Sequence, residues 1–304
     1  MRFQGIYTPI ITPFSADGSV DWDAYAEVIE QQIESGVAGI IAGGSTGEFY
    51  AMSKQERIQQ FEFAAERIRD RVEFMAGVND MRVDQCLEFS LAARTAGAQS
   101  LLVAAPPYSL PSETELAAHV LKIEQAAGLP IMLYNYPGRT GVEMGETFLS
   151  LVADNANVAG IKESSGDVNR IHLLVNHYPQ IELVAGAEDQ VLEFFVWGAK
   201  AWVCASGNMF AAECVRFLDL VANQGDFERG KRIMAAFSPL MHALEQGGKF
   251  IQSVKYASQM QGIPAGNVRP PMLPLDAELE NELRQIVDNT RSRVNAILDE
   301  MPGH

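Results

Sequence analysis

The sequence predicts a (β/α)8 barrel followed by a C-terminal helical extension, and three observations carry that expectation. Short apolar runs alternate eight times with longer amphipathic segments, the short runs are apolar on both faces, and after the eighth only helical runs follow. In chain order the short runs are IYTPIITPF (6–14), GIIAGG (39–44), VEFMAGVN (72–79), SLLVAAP (100–106), PIMLYNYP (130–137), VAGIKES (158–164), IELVAGAE (181–188) and AWVCAS (201–206). Each is too short for a helix of ordinary length. Between them, segments such as DAYAEVIEQQIESG and SKQERIQQFEFAAERIRD repeat apolar residues at three and four, and their first turns carry Asp, Ser or Thr caps. Strands buried on both faces and separated by helices make a parallel sheet. Eight such units favour closure over an open sheet, since no early GxGxxG turn marks a dinucleotide fold. Helical runs at 209–223, 226–245, 249–262 and 277–299 follow, so the barrel is expected over 1–224 and the extension over 225–304. The turn PAGNVRPPMLPLD (264–276) reads as a rigid connector crossing the surface.

Composition narrows the function classes. The 304 residues are 47% hydrophobic and 20% charged, and no apolar run approaches the roughly 18 residues of a membrane span. A formal charge of -16 repels nucleic-acid backbones and anionic membranes, and no clustered Lys/Arg run offsets it. The N-terminus MRFQGIYTPI enters a strand without a signal-like pattern, which leads us to expect a cytoplasmic protein. Cys86, Cys204 and Cys214 form no CxxC pair and are expected as buried thiols rather than a disulfide framework or a zinc site.

In this architecture the active site lies at the C-terminal ends of the strands. Lys162 finishes strand six, whereas Lys200 precedes strand eight and Lys54, Lys122, Lys231 and Lys255 fall in helix patterns. An amine buried among strand residues loses its proton more readily and can then attack a carbonyl, forming an iminium that stabilises a carbanion without a metal or organic cofactor. Position alone leaves a second reading open, in which Lys162 pairs with Glu163 or another carboxylate and merely closes the barrel top. Tyr134, ending strand five, is placed to shuttle a proton, although a strand tyrosine also serves as core filler. The turn GGSTGEF (43–49) exposes backbone amides and the hydroxyls of Ser45 and Thr46, a cradle for a small anion. It lacks the GK[ST] ending of a nucleotide loop, so the carboxylate of a 2-oxo acid fits it better. Arg139, in PGRTG, can clamp a second carboxylate or sit in a surface ion pair. Val203, in the eighth run, is taken as a further substrate-binding position. His119, His172, His177, His242 and His304 fall in helix or tail positions, which argues against metal-dependent aldol cleavage; a barrel that only senses a 2-oxo acid is the third class considered.

GGSTGE, YNYPGRTG and GIKESSG in this order, with an opening TPF (12–14) and a late VRPPMLPL (268–275), resemble the dihydrodipicolinate synthase and N-acetylneuraminate lyase family over nearly the whole chain. The resemblance implies a Schiff base of pyruvate or a longer 2-oxo acid on Lys162, Tyr134 as proton shuttle, and Ser45 and Thr46 binding the oxo-acid carboxylate and relaying protons. It implies no cofactor and a homotetramer built from tight dimers. Arg139 looks like the synthases, where the matching arginine holds the carboxylate of aspartate semialdehyde. The segment PPYSLPSE (106–113) is one residue shorter than the synthases' paired-tyrosine segment: Tyr108, taken as substrate-binding, matches one tyrosine, and Ser109 or a gap stands for the other, which in that family crosses the dimer interface into the proton relay. Phe49 and GGKFIQSVKY (247–256) look more like relatives that dehydrate, cleave or deaminate deoxy-oxo sugar acids and related oxo acids.

Overall fold

The computed structural model describes residues 2–300. Eight strands, β1 (Gly5–Pro9), β2 (Gly39–Ala42), β3 (Glu73–Gly77), β4 (Ser100–Ala104), β5 (Ile131–Asn135), β6 (Val158–Glu163), β7 (Glu182–Ala185) and β8 (Ala201–Val203), close into a parallel barrel in which each pairs with the next and β8 with β1. Around it lie α1 (Trp22–Glu34), α2 (Lys54–Ile68), α3 (Val83–Ala96), α4 (Glu113–Ala127), α5 (Pro137–Thr140), α6 (Glu146–Val152), α7 (Asn169–His177), α8 (Val191–Val196) and α9 (Gly207–Leu218). The chain then adds α10 (Phe227–Gln246), α11 (Phe250–Met260) and α12 (Ala277–Leu298).

The helix starts follow local chemistry. Asp21 caps α1, and Ser53 and Ser112 open α2 and α4 with reciprocal bonds to Glu56 and Glu115, which satisfy amide groups that the first turn leaves without partners. The strands are shorter than the apolar runs, most at their C-terminal ends: the first run continues to Phe14 but pairing stops at Pro9. Ile10, Ile11 and Phe14 are nevertheless buried, because the rim loops are themselves covered, and apolarity there reports burial rather than strand.

Two separate cores follow from the strand period of two. One lies between the barrel and its helices; the other fills the barrel and includes Phe3, Tyr7, Met75, Leu102, Met132, Tyr134, Val184 and Val203. The register aligns Met132 with Gly160, then Tyr134 with Lys162 and Lys162 with Val184. Lys162 therefore shares the uppermost inward layer with Tyr134, while Ile161 and Glu163 alternate outward. At the opposite end, Arg2 and the Tyr7 hydroxyl converge on Glu73, which also accepts from Ser100 Oγ at 2.6 Å.

The extension is tied to the barrel rim by buried charge. Lys255 on α11 meets Glu48 at 2.5 Å and donates to the carbonyls of Thr12 and Asn267. The 264–276 turn does more than cross the surface: Arg269 reaches Glu56 and the carbonyls of Gly18 and Ala51, and stacks 4.0 Å over Phe14.

Candidate active site

At the C-terminal ends of the strands a cavity of about 340 Å³ gathers Ser45, Thr46, Tyr134, Arg139, Lys162 and Val203, six of the seven site residues expected from the sequence. The volume suits a small polar metabolite. Tyr108 is not among them. It sits in the turn between β4 and α4 with φ +71° and is 92% exposed, so within this chain it touches nothing in the cavity.

Lys162 is buried, and its Nζ lies 4.0 Å from the centre of the Tyr134 ring. Among the described residues it forms no ion pair within 4 Å, which separates the two readings left open by position alone. Glu163 points to the outside of the barrel, where Asn135 Nδ2 donates to it at 2.8 Å and Arg170 Nε at 3.2 Å. The alternation along β6 thus removes the neighbouring carboxylate from the amine. Desolvation lowers the ammonium to about 8, against which Glu245 and Glu188 pull upward from the cavity wall. Making the ammonium easier to deprotonate by that much corresponds to about 3 kcal/mol. Space for the lysine stem comes from Gly186, where a Cβ would lie 2.7 Å from Lys162 Cγ and closer still to Ser164 Oγ.

Tyr134 is buried deeply enough that its phenol is pushed well above the ordinary range, so it remains a proton donor. Opposite, the β2 turn presents Ser45 and Thr46. Among the described residues neither hydroxyl is engaged, and neither backbone N–H donates within the chain, since the turn closes instead through Gly47 N–H to Gly44 O and Glu48 N–H to Ser45 O. Four unengaged donors facing a cavity are suited to a carboxylate. Among the described residues Arg139, on α5, also has no carboxylate within 4 Å; its guanidinium lies 5.6 Å from the Tyr136 ring centre and 5.4 Å from that of Phe250.

Sequence reasoning missed the acidic side of the cavity. Glu188 is buried and raised to about 7 by desolvation, and Glu245, on α10, is raised by the same cause and accepts from Tyr136 Oη at 3.3 Å. The signal for Glu188 was present, because it ends its apolar run as Lys162 ends another. Nothing local marked Glu245, whose helix face toward the rim is set by tertiary packing. Among the described residues no cluster of three or more His, Cys, Asp or Glu could hold a metal ion, and His304 lies outside them. The three cysteines are free and buried.

A closed parallel barrel with reactive side chains gathered at the C-terminal strand ends has the architecture and site placement of an enzyme. Its class follows from sequence and fold comparisons. The chain belongs to the dihydrodipicolinate synthetase family, whose model matches residues 2–290, a family of lyases of the class I aldolase type. It is 32% identical over 292 residues to the 4-hydroxy-tetrahydrodipicolinate synthase of Methanocaldococcus jannaschii, covering 94% of this chain and 97% of the relative. The 4-hydroxy-tetrahydrodipicolinate synthase structure from Methylacidiphilum fumariolicum superposes with a TM-score of 0.92 at 29% identity, over 97% of this chain and 98% of the other. The dihydrodipicolinate synthase of Acinetobacter baumannii, solved with pyruvate, gives a TM-score of 0.88 at 28% identity over 95% and 99% of the two chains. No helix among the described residues is long and apolar enough to cross a membrane.

Proposed function

We propose that the chain is a Schiff-base-forming lyase or aldolase acting on pyruvate or a related 2-oxo acid, with 4-hydroxy-tetrahydrodipicolinate synthesis from pyruvate and aspartate semialdehyde as its nearest named activity. The observation that carries this reading is a desolvated amine, Lys162, without an ion-pair partner among the described residues and facing the unengaged donors of Ser45 and Thr46 across an open cavity. The oxo-acid carboxylate binds Ser45 and Thr46, and the neutral amine attacks the adjacent ketone carbon. The protonated Tyr134 phenol donates to the departing hydroxyl, with Thr46 relaying protons, and water leaves an iminium on Lys162. Loss of a proton from the next carbon gives the enamine that attacks an aldehyde or, in reverse, follows cleavage. Arg139 holds the carboxylate of the second reactant, and Val203 bounds the substrate pocket. The family resemblance supports a cytoplasmic homotetramer, an assembly in which Tyr108 can contribute to a site.

Borohydride added with pyruvate should fix the ligand irreversibly on Lys162; an intact mass unchanged by that treatment overturns the reading. A second reading, aldol cleavage or dehydration of 2-oxo-3-deoxy sugar acids, is favoured by Glu188, Asp189 and Glu245 on one wall, acceptors that match substrate hydroxyls. Turnover of pyruvate with aspartate semialdehyde, measured beside cleavage and dehydration of several such acids, decides between them.

A further inference from the structure

Two opposite charges border one ring of the cavity wall without meeting each other. Tyr136 follows the last residue of β5, and its ring stands 5.9 Å from that of Tyr134, against which the Lys162 amine is placed. The Tyr136 Oη donates to Glu245 at 3.3 Å, and the Arg139 guanidinium lies 5.6 Å from the centre of the same ring. Both charged side chains line the cavity that holds Lys162. Among the described residues they form no ion pair with each other, and the second carboxylate oxygen of Glu245 accepts no hydrogen bond. Desolvation raises Glu245, so a charge held there without a cation is unfavourable.

The charges around the cavity indicate what would satisfy it. Its carboxylates are Glu188, Asp189 and Glu245, and its cations are Lys162 and Arg139. The carboxylate of a 2-oxo acid at Ser45 and Thr46 adds one more negative charge. Ser206 engages both oxygens of Glu188, and Asp189 is exposed, which leaves Glu245 as the wall carboxylate with an open oxygen close to Arg139. A reactant bearing only hydroxyls can donate to Glu245 but leaves Arg139 without an anion, because the one carboxylate of a 2-oxo sugar acid is already at the β2 turn. An aldehyde bearing only a carboxylate satisfies Arg139 and brings a like charge toward Glu245. An aldehyde whose far end carries both an ammonium and a carboxylate meets both groups.

We propose that Glu245 is a specificity-determining residue that takes the ammonium of the second reactant while Arg139 takes its carboxylate, so that this part of the cavity recognises an α-amino acid head group; this rests on the Schiff-base reading above. The Tyr136 phenol fixes one oxygen of Glu245 and leaves the other for the ammonium. The aldehyde end is left toward Lys162, where the new carbon–carbon bond forms.

The test uses unreactive probes on the full chain saturated with pyruvate. L-Homoserine, 2,4-dihydroxybutanoate and 4-hydroxybutanoate share a chain and a carboxylate and differ only in carrying an ammonium, a hydroxyl or a hydrogen on the second carbon, and calorimetry reads their dissociation constants. L-Homoserine should bind about 10- to 100-fold more tightly than either of the others, the range for a hydrogen bond to a charged group. In Glu245→Gln, whose amide oxygen can still accept from Tyr136, that preference should fall below about threefold. Glu245→Asp, which withdraws the carboxylate by one carbon, should lower the preference by at least about threefold and decides the matter if Glu245→Gln does not fold. A wild-type preference below about threefold, one that Glu245→Gln retains above it, or a smaller fall in Glu245→Asp overturns the assignment while the pyruvate and borohydride adduct stands. Absence of that adduct in the wild type overturns the Schiff-base reading itself.

Discussion

Two lysines are buried among the described residues, and desolvation lowers both to about 8, yet their surroundings suit opposite tasks. Lys255 is saturated: Glu48 takes its charge, and the carbonyls of Thr12 and Asn267 take its protons. Lys162 has an aromatic face, two more distant carboxylates and an open cavity. A depressed amine is therefore not a nucleophile by that fact alone. The difference lies in what a proton would leave behind. At Lys255 deprotonation strands Glu48 and two carbonyls, whereas at Lys162 it frees a lone pair facing a substrate-sized space.

Replacing each lysine breaks the comparison most sharply. Lys162→Ala should abolish turnover, by about four orders of magnitude or more, with unfolding little changed. Lys255→Met should still yield the pyruvate adduct but lose about 3–5 kcal/mol of stability, because Glu48 is left buried and unpaired. Equal loss of adduct in both variants, read by intact mass beside denaturant unfolding, removes the distinction between the sites. Tyr134→Phe comes next, with turnover expected to fall about 100- to 10,000-fold through loss of the general acid.

Smaller effects sharpen the picture. Thr46→Val keeps the shape but removes a hydrogen bond to a charged group, about 1.5–3 kcal/mol, together with the proton relay, so KM for pyruvate should rise roughly 10- to 100-fold and kcat should fall with it. Adduct formation in the wild type should quicken about tenfold between pH 7 and pH 9, as the Lys162 amine passes from mostly protonated to mostly neutral around 8. A flat profile there means the amine is not the titrating group. Tyr108→Ala should alter stability by less than about 0.5 kcal/mol, since the ring is solvent-facing in this chain.

Most of the barrel was legible because its determinants are local. The alternation of short apolar runs with capped amphipathic segments located all eight strands, and polar residues ending those runs located Lys162 and Tyr134. What stayed hidden depends on contacts distant in sequence. The strands stop earlier than their apolar runs because rim loops buried beneath other segments are apolar as well. Glu188 was absorbed into the end of its run, and its burial depends on Ser206 beyond β8. Glu245 belongs to a regular amphipathic helix, and only packing over the rim turns that side chain toward Tyr136.

The most direct measurement is peptide mapping of the wild-type chain after treatment with pyruvate and borohydride. The account predicts one added pyruvate, less the oxygen lost as water and reduced at the former imine, on Lys162 and none on Lys255. Label on Lys255, or none on either lysine, contradicts it.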